Sequence, residues 1–441
     1  MNTHPTSAAP LRLGFVGLTD CAPLAVAQHL GLFEQQGLTV EFSREPSWAN
    51  MRDKLALGLF DGAHLLAPML LAANLSLEKL AQPLCASLCL GLGGNAIVLT
   101  ASLIAEAQIT PDQTRNPLQS SMQLGQWRRS EASRVRKLRF AAVHPYSTHY
   151  YELCAWLAAG GIDPLTDIDM VYYPPQQMPQ RLRDGEIDGF CAGEPWGTIA
   201  TEACPHEHGV ILVTGPQLWA NKSEKMFTVR ESWAERNPEQ HLGLITALIE
   251  AGRWLDESAE HRHQAAEWLA EPQWLGLPLS QLLPGLSLTP DAGGVPWLRF
   301  FRDNAQFPRR SHGVFYLTQM LRWGHIDRAV DMRLIAERSY RPELYRHAAR
   351  ALDLSVPTVD YLPEGLHQSP WTLAAATSGP TAMGADWFFD GSTFDPLDPA
   401  SYLEYITAHN PGMSHLIPSP LHLRLLNPIF QLHSTALELH P

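Results

Sequence analysis

Short apolar runs alternate with amphipathic segments through the first half of the chain. LRLGFVG, LTVEFS, DGAHLL, NAIVLT, LRFAAV, IDMVYY, IDGFCAG, GVILVTG and MFTVRES have the length and the β-branched or aromatic content of strands. Helical patterns separate most of them, which is the βαβ rhythm of a largely parallel sheet covered by helices. The rhythm breaks at 104–137, so two sheets are expected. From about 238 to 352 the pattern is helical and rich in Trp and Leu, and after 353 Pro- and Gly-rich coil predominates. There is no internal repeat and no low-complexity tract.

The break, EAQITPDQTRNPLQSSMQLGQWRRSEASRVRK, is polar and turn-rich and ends with Arg128, Arg129, Arg134, Arg136 and Lys137. Charge runs usually face water, so it reads as a solvated connector; a partner-docking surface is the sharper alternative.

Three strands are followed by helix starts of similar grammar. In LTDCAPLAVAQHLGLF, Thr19 or Asp20 is placed to cap and Pro23 sits in the first turn. In SREPSWANMRDKLALG, Ser47 caps and Trp48 opens the helix. In HPYSTHYYELCAWLAAGGIDP a polar turn ends the strand LRFAAV, and a helix begins at Thr148 with His149 and two tyrosines in its first turn. Amides at helix N-termini point outward unpaired, and the ligand crevice of an open α/β sheet lies where such helices begin. Several N-termini aimed at one crevice would attract a small anion, with His149 as a further donor. Singly, each signal is bland: a Trp at a helix start packs, a lone His finds a local carbonyl, and Asp61-Gly62 and GEPW (Gly193 to Trp196) read as turns.

Composition narrows the choice. At 441 residues, with 45% hydrophobic and 17% charged, the chain is long enough for two or three domains. Its 32 Lys+Arg against 45 Asp+Glu give a net charge of −13, which argues against broad binding of nucleic acid or anionic membrane. Any anion site must therefore be local. The six cysteines (Cys21, Cys85, Cys89, Cys154, Cys191, Cys204) read as buried free thiols. Cys85 and Cys89 could share a helix face, but no companion CxxC or His pair completes a zinc site. In His261-Arg262-His263 the two histidines point to different faces of a helix.

Enzyme motifs are missing: there is no GxSxG, HExxH, P-loop or GxGxxG, and GLGGN precedes its strand. Asp20, Glu194 and His149 could be drawn as an acid–base group, yet no nucleophile is singled out beside them. The expectation is a protein that is not an enzyme and needs no cofactor or metal. The start, MNTHPTSAAPLRLGFVG, lacks the cationic and apolar segments of an export signal, and no run of about 18 apolar residues occurs. A cytoplasmic location without membrane contact is expected.

Taken in order, LTDCAPLAVAQHLGLFEQQGL, SWANMRDKLALGLFDGAHLLAPM, the STH helix with WLAAGGIDP, YYPPQQM followed by GEPW, and FDGSTFDP resemble the nitrate-binding proteins of the NrtA and NasS kind. The likeness is dense over roughly residues 11 to 240 and loose over 300 to 408. It implies an α/β, two-lobed fold of the periplasmic-binding-protein type II, with the ligand in the cleft between lobes. On that pattern 11–98 and 215–350 form one lobe, 99–214 the other, and 351–441 packs back on them.

The family holds its anion with a Trp, a Gln, a His and a Lys. The resemblance carries these to Trp48, His149 and Lys225, with Asn95 near the Gln position as a departure that shortens one polar arm. Thr148, Pro175, Gly193 and Glu194 complete the expected lining. Nitrate has weakly basic oxygens and no proton to give, so donors alone are expected around it, with Lys225 as the balancing charge. Bicarbonate-binding relatives carry an acidic residue there, so Lys225 favours nitrate or nitrite. The resemblance is nearest to NasS-like cytoplasmic sensors, which hold a NasT-like RNA-binding antiterminator and release it when nitrate or nitrite binds. That role involves no direct contact with nucleic acid. The alternatives are the solute-binding component of an ABC-type nitrate importer, and a binder of, or enzyme for, a cyclic metabolite on the same fold.

Overall fold

The computed structural model describes residues 9–130, 136–202, 208–289, 295–327 and 330–409. Strands β1 (Leu11–Val16), β2 (Val40–Glu45), β3 (Gly62–Leu66) and β4 (Leu84–Cys89) are followed by the two-residue β5 (Leu92–Gly93). Then come β6 (Asn95–Thr100), β7 (Leu138–Ala142), β8 (Ile168–Tyr172), β9 (Gly189–Gly193), β10 (Gly209–Thr214) and β11 (Lys225–Arg230). They form two five-stranded sheets, in the orders β2-β1-β3-β11-β4 and β10-β6-β9-β7-β8. Each sheet is the base of one lobe.

The expected parallel sheet is only partly present. β1 runs parallel to β2 and β3, and β7 parallel to β8 and β9, through helical crossovers. β11 is antiparallel to β3 and β4, and β6 is antiparallel to β9 and β10. The reason is connectivity: β6 and β11 each enter their sheet from the opposite lobe, so neither arrives through a local βαβ turn.

β4 departs from the helical reading of Cys85 and Cys89. Leu84–Cys89 is a fully buried strand, and fully buried strands lose the alternation that marks a half-buried one. Its pairing with β11 skips Ser87, a bulge that turns Cys85 and Cys89 into different core clusters. Five cysteines are free and buried; Cys204 lies outside the described residues.

The 104–137 connector contains a helix, Pro117–Arg129, capped by the Asn116 side chain on the amide of Gln119. It packs so closely on helix Thr148–Ala159 that a Cβ on Gly125 would lie 1.8 Å from the carbonyl oxygen of Gly160. Small residues made that contact, so the segment carried no strong apolar stripe. Its cations hold the lobe's own groups: Arg129 donates to Gly160 O (2.9 Å) and Arg136 pairs with Asp188 (2.6 Å). Arg134 lies outside the described residues.

Two adjacent segments cross between the sheets, 90–94 and 215–224. They are tied to each other by Gly93 N to Lys222 O (3.0 Å) and Leu90 N to Lys225 O (2.8 Å). Gly93 and Gly94 have φ of +85° and +93°, and a Cβ on Gly93 would meet the Trp297 carbonyl at 2.2 Å. This is the use of GLGGN. β5 pairs with a short β12 (Leu298–Arg299), which leads into the helical region 310–351. The coil after 353 holds the hairpin strands Trp371–Leu373 and Thr381–Met383 and the helix Pro399–His409; the chain past 409 lies outside the described residues. Among the described residues no helix is long and apolar enough to cross a membrane.

Candidate functional site

Helix Trp48–Ala56 begins where β2 ends, and Ser47 Oγ accepts the amide of Asn50 (3.3 Å). This cap fixes Trp48 at the mouth, 1% exposed, with its indole Nε1 buried and unpartnered. Helix Thr148–Ala159 begins after β7 under a matching Ser147 cap and places His149 at 0% exposure. Neither ring nitrogen of His149 has a hydrogen-bond partner. Lys225, the first residue of β11, is 1% exposed, and its Nζ stands 5.9 Å from the Trp48 ring centroid.

Around these donors lies a set of carboxylates. Lys225 Nζ is 2.8 Å from Asp20 and 2.9 Å from Glu224, and Asn95 Oδ1 accepts from it at 3.4 Å. Asn95 Nδ2 donates to Glu152 at 2.7 Å. Lys222 joins Glu152 to Glu224, 2.5 Å from each, and the Thr148 hydroxyl donates to Glu224. Asp20 also bonds His64 Nε2 at 2.9 Å. The expectation of donors alone is therefore not met, because Lys225 is already flanked by two carboxylates before any ligand arrives.

Charge and burial set the proton affinities. Burial alone would raise the Asp20 carboxyl, but Lys225 and His64 hold it at about 2. Glu224 is lowered too: Lys222 and Lys225 outweigh its desolvation. Glu152 is raised, its burial exceeding the pull of Lys222. Burial, then the charge of Lys225, holds His149 well below the ordinary imidazole value.

Trp48, Asn95, Thr148, His149 and Lys225 are thus brought together. Gly193, paired with Asn95 across β9 and β6, faces the same point: a Cβ there would lie 3.4 Å from Lys225 Nζ. Glu194 is displaced from the expected role. Its carboxylate accepts the amide of Thr198 (3.1 Å) and the Thr198 hydroxyl, capping its own short helix, while its carbonyl accepts Thr19 N from the other lobe (2.8 Å). Pro175 opens the turn Pro175–Gln177 at the rim, where Gln176 reaches across to Pro46 O (2.8 Å). With Trp196 Nε1 to Gly17 O (3.1 Å), these bonds clasp the lobes beside an outer cavity of about 440 Å³ lined by Arg44, Gln176 and Trp196. Asp20 does not cap its helix, being engaged by His64 and Lys225.

Asp20, Glu152, Lys222 and Glu224 were absent from the expected lining. A signal for Glu152 existed, since it stands four residues after Thr148 on one helix face. KSEK alternates charge along an extended segment, but nothing in that pattern shows which face is buried.

Two sheets joined by paired crossings, with a buried polar site between them, define the two-lobed periplasmic-binding-protein type II fold. Residues 4–270 match the NMT1-like family. The chain is 34% identical over 408 residues to the nitrate import ATP-binding protein NrtC of Synechocystis sp. (strain ATCC 27184 / PCC 6803 / Kazusa), covering 90% of this chain and 55% of that protein. It is 31% identical over 409 residues to the nitrate/nitrite binding protein NrtA of Synechococcus elongatus (strain ATCC 33912 / PCC 7942 / FACHB-805), covering 89% and 85%. The crystal structure of the periplasmic nitrate-binding protein NrtA from Synechocystis PCC 6803 superposes with a TM-score of 0.76 at 28% identity, over 92% of this chain and 100% of that one. The chain belongs to the NMT1-like family, in its NrtA-like nitrate-binding branch. Its kinship is with proteins named for binding, not for catalysis.

Proposed function

We propose that the chain binds nitrate or nitrite at the buried polar cluster of Trp48, His149 and Lys225. One observation carries this reading: the Trp48 Nε1 and both His149 ring nitrogens are buried with no hydrogen-bond partner, beside a buried ammonium. Buried polar groups without hydrogen-bond partners are rare in folded proteins, and donors of this kind beside a buried ammonium suit an acceptor that is small and anionic. The NrtA relatives, named for binding nitrate and nitrite, support the same ligand. Calorimetric titration with nitrate, nitrite and bicarbonate tests it, with Lys225→Glu as the comparison. Nitrate or nitrite binding that disappears in the variant supports the reading; no binding of any of the three refutes it.

The finer role we propose is a cytoplasmic sensor in which the open, ligand-free form sequesters a NasT-like antiterminator and the closed form releases it. The residues shared with the NrtA and NasS kind support it. The kinship with the import protein NrtC instead favours delivery to an ABC-type permease. Equal affinity for an antiterminator partner with and without nitrate would remove the sensor role.

A further inference from the structure

The site proposed above is crowded with charge before a ligand enters. Asp20, Glu152 and Glu224 contribute three carboxylates, and Lys222 and Lys225 two ammonium groups. All five are at most 8% exposed. Its carboxylates outnumber its ammonium groups by one. A monoanion lodged among them adds negative charge beside Asp20 and Glu224 where water cannot screen it, and like charges held this close favour taking up a proton.

His149 is the group placed to take it. Both its nitrogens are unpartnered, and Nε2 stands 3.9 Å from Glu224 Oε1 on the second crossing. The charged groups facing it are Lys222 on that crossing, Lys225 on β11, and Asp20 from the turn after β1, backed by His64 on β3; Glu152 lies one turn along its own helix. Without ligand, burial and the Lys225 ammonium keep the ring neutral. An anion between Lys225 and His149 reverses both effects, offsetting the ammonium and giving an imidazolium N–H its acceptor.

We propose that the site takes its anion together with one proton, which His149 accepts from solvent, so that the ligand is bound between an ammonium and an imidazolium. The inference rests on the anion-binding reading and adds the co-ligand. No bond of the anion breaks; one N–H bond forms on the ring as water or buffer loses the proton. The proton resides on the protein because nitrate is too weak a base to carry it. Selectivity follows: an anion that brings its own proton, such as bicarbonate, competes for the donor position that the protonated ring fills.

The test is calorimetry of the full chain with sodium nitrate near neutral pH, in buffers of differing ionisation enthalpy. The slope of observed heat against buffer enthalpy is expected to give about one proton taken up, with affinity falling up to about tenfold per pH unit as pH rises. His149→Gln is expected to bind more weakly with a slope near zero. Nitrate binding with zero slope in the unaltered protein overturns the inference but leaves the ligand standing, as does uptake that survives in His149→Gln. If His149→Gln binds nothing, the unaltered protein decides alone: an affinity flat from about pH 6 to about pH 8.5 overturns it. Failure of the unaltered protein to bind either nitrate or nitrite removes the anion reading, and the co-ligand with it.

Discussion

Glu224 Oε1 lies 2.9 Å from Lys225 Nζ and 3.9 Å from His149 Nε2, so one carboxylate on a crossing between lobes faces a donor of each lobe. Its second oxygen holds Lys222, which reaches on to Glu152. Any charge placed between Lys225 and His149 is felt through Glu224 by the segment that joins the two sheets.

The unpartnered Trp48 indole gives a separable test. Trp48→Phe removes an N–H that no protein group accepts, so the melting temperature should hold or rise. The same change deletes a bond to a charged ligand, worth about 1.5–3 kcal/mol, or roughly ten- to hundredfold in affinity. Scanning calorimetry alongside nitrate titration checks both halves; a loss of stability matching the loss of affinity would contradict the assignment.

Gly193→Ala probes the space itself. The added Cβ would stand 3.4 Å from Lys225 Nζ, 3.5 Å from Asn95 Oδ1 and 3.1 Å from Leu18. The backbone there is ordinary strand, so stability should fall by no more than about 1–3 kcal/mol, the usual cost of overpacking. Nitrate affinity should drop more steeply than stability, as measured by titration beside urea unfolding.

Glu194 makes stability pH-dependent. Burial pushes its carboxyl up to about 7 from an ordinary value of 4.5. The folded state then holds a proton that the unfolded state has lost, so stability is greatest below about 4.5 and declines as pH rises toward 7. The shift corresponds to about 3 kcal/mol, and Glu194→Gln should flatten that part of the profile in denaturant titrations.

The C-terminal region should be indispensable to the crossings. Glu364 accepts from Trp219 Nε1 (3.2 Å), Asn221 Nδ2 (2.9 Å) and His312 Nε2 (3.0 Å), with Arg309 3.8 Å away. Glu364→Ala strands these buried groups and should cost about 3–5 kcal/mol. A change of under 1 kcal/mol by chemical denaturation would show that the region is merely appended.

Nine of the ten strands in the two five-stranded sheets were legible because each is an apolar run bounded by turn residues. β4 was not, since LCASLC has small residues, total burial and a bulge that hides its period. Helix Pro117–Arg129 was missed because its contact depends on Gly125 and Gly160, which contribute shape and almost no hydrophobicity. In the site, Trp48, His149 and Lys225 came from motif resemblance, and capping grammar placed the first two at helix starts. The part the carboxylates play was hidden for a different reason: Asp20 reads as a helix cap and Glu224 as an ordinary surface residue until the fold encloses them. The Glu194 side chain accepts from Thr198 in the helix that follows it, a local role that GEPW does not reveal.

The clasp between the lobes sets a clock as well as a shape. Trp48, His149 and Lys225 are at most 1% exposed, and the bonds from Thr19 to Glu194, Gln176 to Pro46 and Trp196 to Gly17 join the two lobes, so separating the lobes means breaking all three. For an anion held at the proposed site, residence time would follow the opening of those bonds as well as the chemistry inside. Substitutions at the rim that never touch the ligand would shorten that wait, and so set how quickly the protein forgets a past exposure.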